Sequence, residues 1–161
     1  EIKQMTLIGL LSAITFLITF YFPIPLAFGY FNFSDAVIIF ASVFIHPYAG
    51  VTVGMIGAGL ADLVSGYSAF IPFTVIAKGV EALLAGYLYR AFKGNLKFVA
   101  LYIGGLSMAM MYIPAYMLIE ENVWAFVKTT PFDIAQGIIG ASLAWILIVS
   151  SKKVKLMNPD V

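Results

Sequence analysis

The chain has 161 residues, 62% of them hydrophobic and 11% charged, with a formal net charge of +1. An ordinary soluble domain carries about 25% charged residues, so this composition cannot cover a water-facing surface and reads as a polytopic membrane protein. A helix needs roughly 20 apolar residues to cross the hydrocarbon core, which allows about six or seven spans in one compact domain and no soluble module. With no cysteine and one histidine, His46, disulfides, thiolate chemistry and Cys- or His-rich metal sites are excluded. Nothing in the charge points to nucleic acid.

Six helices are predicted in chain order. The first covers 4–20. No Ala-x-Ala cleavage pattern follows it, so it is read as a retained span rather than a signal peptide. Pro23 and Pro25 stop it, because proline lacks the amide donor and restricts the residue before it. The segment 21–34 is apolar but broken by Pro and Gly. It is expected to lie at the membrane surface or to fold back over the protein. The second helix, 35–45, is short and ends at His46-Pro47. The third covers 49–64 and ends at Ser65-Gly66. The fourth starts at Pro72, a favoured first-turn position, and runs to Ala91. The fifth covers 96–118, with Pro114 as a kink. A polar loop is expected over 120–130, and the sixth helix opens at Pro131 and runs to 150.

Charge placement orients the chain. Lys3, Arg90, Lys93, Lys97, Lys152, Lys153 and Lys155 fall on one side of this scheme, and Lys128 alone falls on the other. By the positive-inside rule both termini are cytoplasmic, and the loops 21–34, 65–71 and 119–131 face outward. Those outer loops are rich in aromatics, among them Tyr67, Phe70 and Trp124, so a binding site is expected to open outward.

Ionisable groups within spans are costly unless paired or solvated. Lys78 and Glu81 share a face of the fourth helix. They read as a structural ion pair with Asp62 as a third member, or else Lys78 points into an outward pocket and donates to a ligand. Ser34-Asp35 reads as a helix N-cap. Asp133 fits either a helix N-terminus or a site, while Gln136, one turn on, needs a partner inside the bundle. Gly50, Gly54 and Ala58 form small-residue spacings suited to close packing within the bundle. Gly9-x-x-x-Ala13 in the first helix suits either internal packing or docking of a partner subunit. There is no nucleotide-binding Gly-x-x-x-x-Gly-Lys-Ser/Thr loop, no His-Glu-x-x-His and no Gly-x-Ser-x-Gly elbow, so no enzymatic activity is expected. Energy for uphill transport would come from partners or an ion gradient.

Three stretches resemble the substrate-binding S-components of energy-coupling factor (ECF) vitamin transporters. They are Phe33-Ser34-Asp35-Ala36 with His46-Pro47-Tyr48-Ala49-Gly50, then Ala61-Asp62-Leu63-Val64-Ser65-Gly66-Tyr67, then Lys78-Gly79-Val80-Glu81. The resemblance covers essentially the whole chain. It is greatest to the riboflavin-type superfamily, especially members assigned to hydroxymethylpyrimidine or pyridoxine-like compounds. It implies an all-α bundle of six transmembrane helices in a prokaryotic plasma membrane. It also implies a small vitamin ligand, and assembly with a membrane T-component and two cytoplasmic ATPases that use ATP and Mg; no cofactor is implied for this chain. Family members dock through Ala-x-x-x-Ala in helix 1, which maps to Gly9 and Ala13 here. The family's site maps to Lys78, Tyr112, Tyr116, Trp124, Asp133 and Gln136, with 21–34 as a lid contributing Asn32. S-components for pantothenate, riboflavin or folate are the alternatives, although folate would want more external cations. An ion-coupled secondary transporter using Asp62, Lys78 and Glu81 as a relay is a different class, and the lack of an obvious inverted repeat weighs against it.

Overall fold

A computed structural model describes residues 2–27, 29–121 and 123–157, with side chains left undescribed at 123 and 153–157. The described residues form α1 (Ile2–Tyr21), β1 (Ile24–Pro25), β2 (Tyr30–Phe31), α2 (Asp35–Phe44), α3 (Pro47–Val64), α4 (Ile71–Ala91), α5 (Leu96–Ile119) and α6 (Val123–Met157). A single 3₁₀ turn, Ser68–Phe70, leads into α4. Five of the helices are long and apolar enough to cross a membrane. The ten residues of α2 rise only about 15 Å, half the depth of the hydrocarbon core. This helix is sheltered instead: it touches each of the other five helices, and Ile38, Ile39, Ala41 and Asp35 on it are completely buried.

The long helices pack in the order α1, α3, α4, α5, α6, with α6 closing back onto α2. Close approach depends on glycine at the crossings. A Cβ on Gly105 of α5 would strike the backbone of Gly137 on α6, and the converse holds for Gly137. A Cβ on Gly54 would stand 2.9 Å from the Lys78 Cβ, and one on Gly140 would stand 2.6 Å from the Asp35 Cβ. The small residues of α3 therefore serve internal packing, as expected, and they set the depth at which Lys78 and Asp35 meet.

Helix boundaries differ from expectation most at α6, which also runs on to Met157 rather than ending at 150. Helix α6 starts at Val123, not Pro131, and Pro131 lies within it. The run 123–127 is apolar and continues the helix, so the connection shrinks from a loop over 120–130 to 120–122, where Glu121 takes a positive φ of 47°. Proline inside a membrane helix costs one backbone hydrogen bond, and neighbouring groups can compensate. Helix α3 starts at Pro47, two residues early, with His46 as its N-cap accepting from the Tyr48 amide.

The segment after α1 folds back over the bundle. Ile24 and Pro25 pair antiparallel with Phe31 and Tyr30, and Gly29 takes the positive φ of 82° that the turn needs. Phe31, Asn32 and Ser34 are buried. At the opposite end of the bundle, Arg90 donates to the Ser42 and Ile45 carbonyls and so closes the C-terminus of α2. There Lys97 and Lys152 lie over the Tyr89 ring at 5.2 and 5.4 Å.

Candidate ligand-binding site

Beneath the hairpin, the last turns of α3 and α5 and the first halves of α4 and α6 converge on one cavity. Its polar groups form three nodes, each centred on a carboxylate. At the first, Asp62 accepts from the Tyr30 hydroxyl and from Thr74, and Tyr112 donates to Thr74 at 3.0 Å. Burial, with the Asp62 carboxylate beside it, pushes the Tyr30 phenol up, so Tyr30 stays protonated and donates. At the second, Tyr116 donates to Asp133 at 3.0 Å. At the third and deepest, Asp35 pairs with Lys78 and accepts from Gln136 Nε2 at 2.9 Å. Gln136 Oε1 in turn takes the Asn32 backbone amide at 2.9 Å, which ties the hairpin to α6. Glu81 Oε2 stands 3.7 Å from Lys78, and among the described residues neither Glu81 oxygen has a hydrogen-bond partner.

Aromatic rings wall the cavity. Tyr30 meets Tyr67 at 5.2 Å, Tyr67 meets Phe70 at 6.2 Å, and Phe70 meets Tyr116 at 6.1 Å. Tyr116 stacks on Tyr112 at 6.2 Å. Such faces suit a flat ring held by a few placed polar groups. The free space is about 30 Å³, little more than one water.

Of the residues expected in a site, Asn32, Lys78, Tyr112, Tyr116, Asp133 and Gln136 all line this cavity. Trp124 does not: it sits in the first turn of α6 and is 62% exposed, which suits an interfacial aromatic. Asp62 is not the third member of the Lys78–Glu81 pair. It faces the cavity, and Asp35 takes its place. Asp35 is correspondingly no helix cap, and Ser34 at the cap position makes no side-chain capping bond. Thr74 and Tyr30 were not foreseen. Thr74 lies one turn before Lys78 on the same helical face, a signal that could have found it. Tyr30 lies in the segment 21–34 whose fold-back its Pro and Gly residues suggest, but nothing local says which of its side chains meets the cavity. Gly9 and Ala13 are exposed, nothing lies within 4 Å of a Cβ placed on Gly9, and both border an apolar groove of about 660 Å³ between α1 and α3.

Residues 1–153 match the family described as ECF-type riboflavin transporter, S component. The chain belongs to this family. As an ECF S component it is a substrate-binding subunit of a vitamin transporter and a multi-pass plasma-membrane protein. It is 32% identical to an uncharacterized protein of Pyrococcus woesei, over 78% of this chain and 86% of the relative. It is 26% identical to the thiamine precursor transporter HmpT of Lactococcus lactis subsp. cremoris (strain MG1363), over 98% of this chain and 93% of that one. A solved structure of the S component of a bacterial ECF transporter shares the fold. It superposes with a TM-score of 0.76 at 22% identity, covering 97% of this chain and 98% of the other.

Proposed function

We propose that this S component binds hydroxymethylpyrimidine or a pyridoxine-like compound in the cavity beneath the hairpin. It passes that ligand to an ATP-driven importer made of a T-component and two ATPases, which use ATP and Mg. The observation that carries the site is the convergence of Asp62, Lys78, Asp133 and Gln136 within an aromatic wall beneath the hairpin that holds Tyr30. Cavities for drug-sized ligands run to about 300–1,000 Å³, against about 30 Å³ here. A ligand therefore enters as the hairpin lifts, and a small ring asks for the least displacement. The likeness to a thiamine precursor transporter over nearly the full length supports the same ligand class.

The basic end around Arg90, Lys97 and Lys152 is the cytoplasmic face by the positive-inside rule, so the cavity faces outward. The exposed Gly9 and Ala13 strip is the docking surface for the T-component. Coexpression with a T-component and ATPase pair tests this function: the chain copurifies with them, and cells take up labelled hydroxymethylpyrimidine in an ATP-dependent way. A chain never recovered with the ATPases would rule the importer reading out.

A further inference from the structure

The basic end of the bundle carries a second cluster of polar side chains, away from the ligand cavity. Arg90 and Lys93 lie there with Lys97 and Lys152. Arg90 is engaged by the Ser42, Gly86 and Ile45 carbonyls. Lys97, at the start of α5, and Lys152, near the end of α6, converge instead on Tyr89 of α4, at 5.2 and 5.4 Å from its ring centroid. Lys152 also donates to the Tyr89 hydroxyl at 2.9 Å. Tyr89 is only 6% exposed, and among the described residues its hydroxyl gives its own proton to no acceptor. Among those residues no carboxylate pairs with Lys97 or Lys152, since the ion pairs are those of Lys78. Two ammonium groups gathered on one ring repel each other. The cluster thus offers donors from three helices and holds no acceptor that would balance its charge.

We infer that this cluster is a site for an anionic phospholipid of the inner leaflet, whose phosphate is held by Lys97, Lys152 and the Tyr89 hydroxyl. A phosphodiester has charged oxygens that can accept from both ammonium groups and from the phenol. Basic pockets between transmembrane helices on the cytoplasmic side take anionic headgroups in this way. The surface beside the cluster suits acyl chains. Phe98, next to Lys97, meets Tyr102 at 4.6 Å and Trp145 of α6 at 5.3 Å, and Leu96, Phe98 and Val99 are exposed. Trp145 precedes Lys152 by seven residues, which places it about 10 Å deeper along α6. A free phosphate would use the cations and leave this apolar surface bare, whereas a phospholipid covers both. Bound there, it ties the inner ends of α4, α5 and α6 together. The inference does not depend on which compound fills the outer cavity.

The test is native mass spectrometry of the full chain in a mild detergent, titrated with phosphatidylglycerol and with phosphatidylcholine of the same acyl chains, and repeated with inorganic phosphate as competitor. The chain is expected to retain phosphatidylglycerol in preference to phosphatidylcholine. Lys97→Gln and Lys152→Gln are each expected to weaken that binding about fivefold, and Tyr89→Phe, which keeps the ring, roughly threefold. Lys93→Gln removes the same charge from the same end, but Lys93 is not over the Tyr89 ring. It should leave binding within about twofold at physiological salt, where distant charges are screened. Cooperative thermal unfolding of each variant shows that it is folded. Equal retention of the two lipids overturns the inference. Equal losses from Lys93→Gln and Lys97→Gln overturn it too, because they describe a diffuse positive rim and no site. Displacement of the lipid by an equal concentration of inorganic phosphate assigns the cluster to the free anion and overturns the lipid assignment.

Discussion

Lys78 of α4 pairs with Asp35 of α2 across 43 positions of sequence, and both side chains are almost wholly shut off from solvent, at 2% and 0% exposure. This pair joins the central short helix to the wall of the cavity. Removing one partner of a buried pair strands the other charge, at a cost of about 3–5 kcal/mol. Lys78→Met is therefore expected to lower the thermal unfolding midpoint in detergent sharply. The double variant Lys78→Met with Asp35→Asn should recover only part of the loss, because Glu81 still loses the ammonium 3.7 Å away. A single variant as stable as the parent would show that the pair does not hold the two helices.

The contact of Gly105 with Gly137 predicts a steric effect. A methyl at either position meets backbone on the facing helix, and overpacking of this kind costs about 1–3 kcal/mol. Gly137→Ala should unfold at lower temperature than the parent. Gly9→Ala, where a Cβ meets nothing within 4 Å, should match the parent in the same scan.

Much of this architecture is legible in the residues. Hydrophobic runs and prolines locate five of the six helices to within about two residues, and the glycine spacings of α3 mark real crossings. The start of α6 was hidden because Pro131 imitates a first-turn proline, although the apolar run before it continues the helix. The site was legible where a polar residue sits inside a span, as Lys78, Asp133 and Gln136 do, since burial there demands a partner. Asp35 was obscured by Ser34 beside it, a pattern that reads equally well as a cap. Asp62 was misplaced because spacing along one chain does not say which of three carboxylates a lysine on another helix will meet. Tyr30 depends on a fold-back fixed by tertiary contacts.

Tyr30 links the hairpin to Asp62 and lines the cavity. Tyr30→Phe removes that tether and keeps the ring. Ligand association and dissociation, followed by stopped-flow fluorescence, should both accelerate several-fold, and the thermal midpoint should change little. Unchanged rates would mean that the hairpin moves without breaking this bond.

The exposed strip on α1 predicts a separation of functions. Gly9→Leu places a bulky side chain on the groove between α1 and α3. Because this groove and the cavity share no lining residue, the substitution should reduce recovery of the ATPase complex and uptake while ligand affinity stays at the parent value. Lost affinity with an intact complex would contradict the division between a binding end and a docking face.

The most direct test of the central claim, that the cavity under the hairpin holds the vitamin, is mass spectrometry of small molecules released from the detergent-purified chain. The parent should release a hydroxymethylpyrimidine- or pyridoxine-type compound in near-stoichiometric amount, and Asp133→Ala, while still folded, should release little or none. Equal release from the parent and from Asp133→Ala would contradict the placement of the site.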